Sequence, residues 1–388
     1  MQAKITRDDK TRIVLIAIVA TVIVFIPARS AQCVVDSTKG ESSSDVRIGV
    51  FGLFHPLQLT VSAPSGSALV VHAGEENFVL EKSSGIDSAS VGISGDSVTV
   101  KLGARVVHAL RVTVNGRSSD PVDFILGVPE KISRRYHGIL EIKPTARTLT
   151  AVVTMDRETA VASVVAAEAA PDTPFEALKA QAVAARSYIV AARGRHREFD
   201  FCDTTHCQFL REVPVPGSSV ANAVAATRGL VLAYDSHPLA AMYTRSCSGR
   251  THTPAELGFT PAAYPYYPVE CRYCREHPAR WSSRLPTQEV SSLRASDENM
   301  RLKIDRRLGW SAIPSNDFVV KKERDQLVVE GTGQGHGIGL CQAGAKAMAK
   351  EGADFRQILR HYYPDTTIVA WPGPSISRHA SALAARIP

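Results

Sequence analysis

The motifs that would place this chain most quickly are missing. Its most glycine-rich stretch, GTGQGHGIG from Gly331 to Gly339, has no Gly-Lys-Ser/Thr ending, so it is no Walker phosphate loop. Those glycines all sit at odd-numbered positions, whereas a dinucleotide fingerprint needs both parities. No HExxH sequence occurs, which removes the best-known zinc-hydrolase signature. There is no dense Lys/Arg run and no stripe of aromatic and basic residues, so a net charge of +7 and a pI near 9.0 favour anionic surroundings such as a cell wall or lipid headgroups over nucleic acid. No internal repeat is present. Beyond residue 26 no segment is long and apolar enough to span a bilayer.

What is present starts at the N-terminus. A polar segment, MQAKITRDDKTR, precedes IVLIAIVATVIVFI from Ile13 to Ile26, interrupted only by Thr21. This run is short for a membrane span and right for a signal-peptide core, and Ala28-Arg29-Ser30 is a small-x-small cleavage candidate. An uncleaved N-terminal membrane anchor is the competing reading. Both put the mature part outside the cytoplasm. Gln32 before Cys33 is wrong for a lipoprotein signal. In that setting the seven cysteines pair or bind metal, and an odd number leaves at least one outside internal disulfides. Cys202 and Cys207 cluster, as do Cys271 and Cys274, with Cys247 between the groups, while Cys33 and Cys341 are isolated along the chain.

The 388 residues suffice for about two domains. Residues 1–30 read as signal peptide or anchor, and 31–45 as a serine-rich linker. Residues 46–130 carry short β-branched runs such as LQLTVSA and SALVVHA without helical period. Residues 131–372 form a mixed part with an alanine-rich helical region at 157–194, and 373–388 a loose tail. The expected class is α+β, a β-rich N-terminal region followed by a mixed domain. Near the end, Gly352 suits the position after a helix, and Asp354 and Gln357 fit a capping box for FRQILRHYY.

Two glutamates contrast. Thr173, Pro174 and Glu176 fit N-cap, N1 and N3 of a helix, which gives Glu176 a capping job facing water. Phe175, Leu178, Ala182, Ala185 and Ile189 follow as one apolar stripe. Glu168 has no such job. It continues the stripe of Val161, Val164 and Val165 and lies just before Pro171, where a helix must end. Burial and the negative end of the helix dipole both favour its protonated form, as a general acid requires. A helix end already turned to solvent is the bland reading. The glycine stretch, if extended, leaves one face bare and presents Gln334 and His336 on the other. Tight packing against another strand explains the bare face equally well.

The loop GRHREFDFCDTTHCQ supplies His196, Cys202, His206 and Cys207, two imidazoles and two thiolates, a sound tetrahedral zinc set. A Cys202–Cys207 disulfide competes with it. Pairing among Cys247, Cys271 and Cys274 stays open, with a second metal site using His252 or His277 the weaker option. Tyr264, Tyr266 and Tyr267 either stack on sugars or pack.

Together, EAAPDTPFEALKAQAVAARSY, the DTTHCQ segment, GTGQGHGIGLCQAGAKAMA and ILRHYYP resemble the SpoIID/LytB family, that of stage II sporulation protein D and the amidase enhancer. The resemblance runs from about Arg134 to Val369. It implies a lytic transglycosylase acting on peptidoglycan glycan strands, stripped of stem peptides in sporulation. The family's acid, a short loop upstream of the EALKAQ helix, falls on Glu168. Where members often have Glu-Met-Pro or Glu-Trp-Pro, this chain has Glu168-Ala169-Ala170-Pro171. The GHG block implies glycan contacts by Gln334, Gly335, His336, Gly337 and Gln342, and the His/Cys loop implies structural zinc. Cys341 stands where many members have serine and is assigned no chemistry. No second catalytic carboxylate is evident, since Asp172 and Asp203 read as loop residues. The competing function is a non-catalytic glycan-binding protein that enhances a separate cell-wall amidase. It would not need an acid on an apolar stripe.

Overall fold

A computed structural model describes residues 44–259, 264–287, 293, 295 and 297–371. The apolar run at 13–26, Cys33 and the tail at 373–388 lie outside the described residues. Among the described residues no helix is long and apolar enough to cross a membrane. The architecture is α+β: a near-closed antiparallel β-barrel sheet followed by a mixed helix and strand region.

The barrel is organised by one long strand, Ile132–Thr145. Its first half pairs with Val122–Val128 and its second with Thr148–Asp156, while Val112–Asn115 takes its other edge. The strand thus passes from one wall of the barrel to the other. Gly138 sits at the handover, where an added Cβ would lie 2.4 Å from the Thr154 carbonyl oxygen. Inward residues alternate with outward ones, as in Ala68–Ala73, where Leu69, Val71 and Ala73 are buried. The run HALRVTV at 108–114 is divided between two strands, Arg105–Ala109 and Val112–Asn115, lying on opposite arms of the sheet. The pairing ladder runs across the expected domain boundary at 130/131. Asp45–Val50 pairs antiparallel with Thr148–Asp156 and parallel with Phe201–Cys202, which pins the His/Cys loop to the barrel edge.

Helix α1 (Arg157–Glu168) starts under an Asp156 cap, whose carboxylate accepts from the N–H groups of Glu158 and Thr159. It lays Val161, Val164 and Val165 on the barrel core. Helix α2 (Phe175–Ala191) was expected to carry one apolar stripe and is instead buried nearly all round. Leu178, Ala182, Ala185 and Ile189 face the barrel core, while Ala180, Val183 and Ala184 face a second core with Leu232, Ile338, Leu340 and Tyr362. Alanines let both layers approach the helix closely. Arg186, with no exposed surface, bridges the layers. It donates to both carboxylate oxygens of Glu158 at 2.7–3.1 Å and to the Leu230 and Val224 carbonyls at 3.1 and 3.3 Å.

Thr173 does not cap α2. Its hydroxyl turns back to the Ala170 carbonyl at 2.7 Å, and the residue before the helix is Pro174. Glu176 therefore closes no capping box. It pairs with Lys179 and accepts from the Phe355 N–H at 2.9 Å, so it caps the start of another helix. Helices α3 (Ser219–Ala226), α4 (Arg272–Glu276), α5 (Glu298–Leu308), α6 (Gln342–Lys350) and α7 (Phe355–Tyr362) complete the described set. Gly352 follows α6 with φ of 97°, and α7 carries the expected Asp354/Gln357 capping box. A short parallel pair, Tyr243–Thr244 with Leu340–Cys341, sits in the second core and sets the next residues, Arg245 and Gln342, side by side.

Candidate functional site

Glu168 ends α1, as its place before Pro171 requires, with Ala169 already extended at ψ of 136°. The residue is half-buried. Burial raises its carboxyl above the ordinary range, and hydrogen bonds from the Gln342 side chain and the Phe209 N–H, with the charges of Arg245 and Arg211, oppose that rise without cancelling it. The carboxyl stands where two clefts meet. One, of about 390 Å³, is lined by Phe209, Arg211, Tyr243, Arg301, Trp310 and His336, among others. The second, of about 510 Å³, holds Gln181, Tyr273, His277, Gln342 and Lys346. Glu168 and Arg245 line both. Each cleft has an exposed aromatic ring, Trp310 in the first and Tyr273, stacked on His277, in the second.

The glycine stretch is not a flat strand beyond Thr332. Gly333, Gly335, Gly337 and Gly339 all take φ between 72° and 97°, which is why glycine recurs at every second residue. Their open sides face the protein itself. A Cβ on Gly335 would lie 2.5 Å from the Thr244 hydroxyl, and one on Gly339 2.0 Å from the Met242 carbonyl. The segment 242–252 fills that face. The residues between the glycines divide accordingly. Gln334 is exposed and, with Gly335 and His336, lines the first cleft. Gln342 lines the second. Gly337 lines neither, being buried against His252. His336 accepts at Nδ1 from the Ile338 N–H at 3.0 Å, so its proton resides on Nε2. Burial lowers its pKa to about 4, so the ring is neutral at ordinary pH.

Other carboxylates near the site are engaged. Glu298 lines the first cleft and went unnoticed in the sequence. Arg301 holds it at 2.7 Å from both Nε and Nη2, and Asn316 donates to it at 2.6 Å. Its i,i+3 spacing from Arg301 was the available signal. Asp203 lies under Phe51 and Arg134, and burial lifts it to about 6. Asp172 pairs with Lys346. Arg245, Phe209, Trp310 and Tyr273 were also missed, because no spacing rule joins them to Glu168. Tyr243 was missed too. The residue lines the first cleft, and its hydroxyl is buried without a hydrogen-bond partner and feels the charge of Glu168. Tyr264 and Tyr266 are packing residues, buried in a ring cluster with Tyr363.

Two groups of ligand-type side chains converge. His196, Cys202, His206 and Cys207 bring one donor atom each within 4.8 Å of one another. His196 Nε2 lies 3.3 Å from Cys207 Sγ, and His206 Nδ1 lies 3.7 and 3.5 Å from the sulfurs of Cys202 and Cys207. These separations fit the edges of a tetrahedron with bonds of about 2.0–2.3 Å. The second group, Cys247, Cys271, Cys274 and Cys341, is buried, meets the same 4.8 Å limit, and is arranged so that it could bind a metal such as zinc. This corrects the reading of Cys341 as isolated, and it replaces His252 and His277 as ligand candidates. His252 instead bonds Asp317 at 2.8 Å. The six described cysteines are all free.

The chain thus combines an α+β fold with a half-buried carboxyl, that of Glu168, shared by two clefts. The chain belongs to the SpoIID family. The family model for stage II sporulation protein matches residues 145–234. An uncharacterized protein of Brachyspira hyodysenteriae is 31% identical over 267 residues, covering 60% of this chain and 72% of that protein. Stage II sporulation protein D of Bacillus subtilis is 28% identical over 254 residues, 54% of this chain and 73% of its own length. An amidase enhancer of Bacillus subtilis is 41% identical over 64 residues, 16% of this chain and 9% of that protein.

Proposed function

We propose that the protein is an exported lytic transglycosylase that cleaves peptidoglycan glycan strands with Glu168 as its acid and then its base. The observation that carries this reading is the position of Glu168 where two clefts meet, so that sugars on both sides of one glycosidic bond find a wall. Exposed Trp310 and Tyr273 offer each arm a ring face for a sugar to lie on. Glu168, whose pKa burial raises, gives its proton to the glycosidic oxygen as the C1–O bond breaks and C1 becomes oxocarbenium-like. The same carboxylate then takes the proton of the sugar's own C6 hydroxyl, whose oxygen attacks C1 and closes a 1,6-anhydro ring. No water enters, so one carboxylate suffices where ordinary glycosidases use two. That need matches the engagement of Glu298 by Arg301 and Asn316. Tyr243 lends a hydroxyl, and Gln334 and neutral His336 supply polar contacts. Zinc held by His196, Cys202, His206 and Cys207 is structural, since four protein ligands leave no open position. Bound there, it would fix the loop whose continuation presents the Phe209 N–H and Arg211 to Glu168. The leader at 13–26, cleaved or retained as an anchor, delivers the protein to the wall side of the membrane.

The likeness to an amidase enhancer supports one second reading, a glycan binder that activates a cell-wall amidase. Digestion of purified glycan strands, with and without stem peptides, by wild type and Glu168→Gln distinguishes the two by mass spectrometry. Anhydro-ended fragments from wild type alone are the expected result. Intact strands with retained binding would favour the enhancer, and reducing-end fragments would make water the nucleophile.

A further inference from the structure

Cys247, Cys271, Cys274 and Cys341 play no part in the chemistry above, yet they are fully enclosed and come from three separate stretches of chain. We propose that these four cysteines form a second metal centre, a tetrathiolate zinc site that holds Arg245 and Gln342 in place beside Glu168. Cys274 and Cys341 sulfurs are 3.5 Å apart. That is near the roughly 3.8 Å edge of a tetrahedron with zinc–sulfur bonds of about 2.3 Å, and far from a disulfide bond of about 2.05 Å. Four sulfurs that are all mutual neighbours within 4.8 Å surround a point; they are not sorted into two pairs.

The surroundings are built for thiolates. The Cys247 N–H and the Gly344 N–H point at Cys341 Sγ at 3.3 and 3.4 Å. The Tyr362 hydroxyl meets Cys271 Sγ, and the Ser246 hydroxyl Cys274 Sγ, each at 3.5 Å. Such donors offset the negative charge that four thiolates keep around a divalent ion. Cys341 also caps the first turn of α6, whose dipole favours an anion there. Gly344 is required because a Cβ would lie 2.0 Å from the Tyr362 hydroxyl and 2.5 Å from Cys271 Sγ.

Each ligand adjoins a wall of the groove. Cys247 is two residues past Arg245, Cys341 immediately precedes Gln342, and Cys274 lies between Tyr273 and His277. The parallel pairing of Thr244 with Cys341, and the Ala343 N–H donating to the Arg245 carbonyl at 3.1 Å, bind the two flanks together. The His/Cys loop thus steadies one side of Glu168 and the tetrathiolate centre the other. The structural claim stands independently of the proposed function. The claim that this centre supports catalysis rests on that function.

The test uses the mature protein purified without chelator. Elemental analysis should find about two zinc ions per chain, falling to about one in Cys271→Ser/Cys274→Ser and to about one in Cys202→Ser/Cys207→Ser. Cobalt loaded into the latter variant should give intense thiolate-to-cobalt absorption and a tetrahedral ligand-field spectrum. Should either variant fail to fold, wild type alone still decides: all four cysteines should be alkylated after denaturation in chelator without reductant. Four unmodified cysteines would mean two disulfides and overturn the proposal, as would a single zinc per folded chain. For the positioning role, Cys271→Ser/Cys274→Ser should lose amide-exchange protection at 242–248 and 341–346 while the barrel keeps its own, with kcat on glycan strands falling roughly tenfold or more and KM changing less. Unchanged kcat with the second zinc absent would sink that role. An enzyme inactive throughout but carrying two zinc ions would instead refute the proposed function and leave the metal centre standing.

Discussion

The side-chain amide of Gln342, the first residue of α6, lies beside the carboxyl of Glu168, the last residue of α1, and favours its charged form. The contact joins the C-terminal end of one helix, where an anion is disfavoured, to the N-terminal end of another, where it is favoured. Glu168 is therefore balanced. Burial favours its protonated form, while Gln342, the Phe209 N–H and the two arginines favour the anion. The acid-then-base role proposed for Glu168 needs that balance.

Replacing Glu168 by glutamine should abolish glycan cleavage, a loss of at least about 10²–10⁴-fold if the residue is the acid. It should also stabilise the fold at neutral pH. A carboxyl whose folded pKa is raised costs stability above that pKa and nothing below its unfolded pKa. The gain should thus be present at pH 7 and vanish in acid. Urea titrations at both pH values measure it, and equal midpoints at pH 7 would contradict the burial argument.

His336 titrates at about 4 in the fold against an ordinary 6.5. Between those values the unfolded chain binds the extra proton, so stability falls as pH drops from about 6.5 to 4. A His336→Gln protein should show a visibly flatter melting temperature across that window. Ring resonances by NMR should report a neutral imidazole with the proton on Nε2 at pH 6.

Arg186→Ala should be severely destabilising, by about 3–5 kcal/mol, because it leaves the Glu158 carboxylate beneath α2 without its partner. Joint replacement, Arg186→Met with Glu158→Gln, should recover much of the loss. Denaturant melts of single and double variants measure the coupling, and simple additivity would mean that the pair is not the cause.

Tyr243→Phe removes a hydroxyl that has no partner in the fold, so stability should hold or rise slightly. If that hydroxyl meets the sugar, kcat on glycan strands should fall about tenfold while zinc content and melting temperature stay put. A loss of stability would show instead that the hydroxyl is bonded within the folded protein.

The sequence by itself settled what depends on neighbours along the chain. The end of α1 before Pro171, the α7 capping box, Gly352 after α6 and the alternating strands of the barrel follow from local backbone chemistry and hydrophobic period. Glu168 stood out as a candidate for the same reason, a carboxylate on the valine stripe of its own helix. The His/Cys loop was legible because its four candidate ligands lie within one short stretch. Only the tertiary structure decided the rest. The fourth cysteine of the buried cluster comes from a residue with no cysteine nearby in the chain, brought in by the parallel pairing of Tyr243–Thr244 with Leu340–Cys341. Arg245, Phe209 and Tyr243 reach the site by the same folding of distant segments, which leaves no periodic trace. The glycine stretch shows the limit most plainly. Alternation along the chain marked a close approach, but only the packing of residues 242–252 against it shows what approaches, because a missing side chain records a need for space and not what fills it.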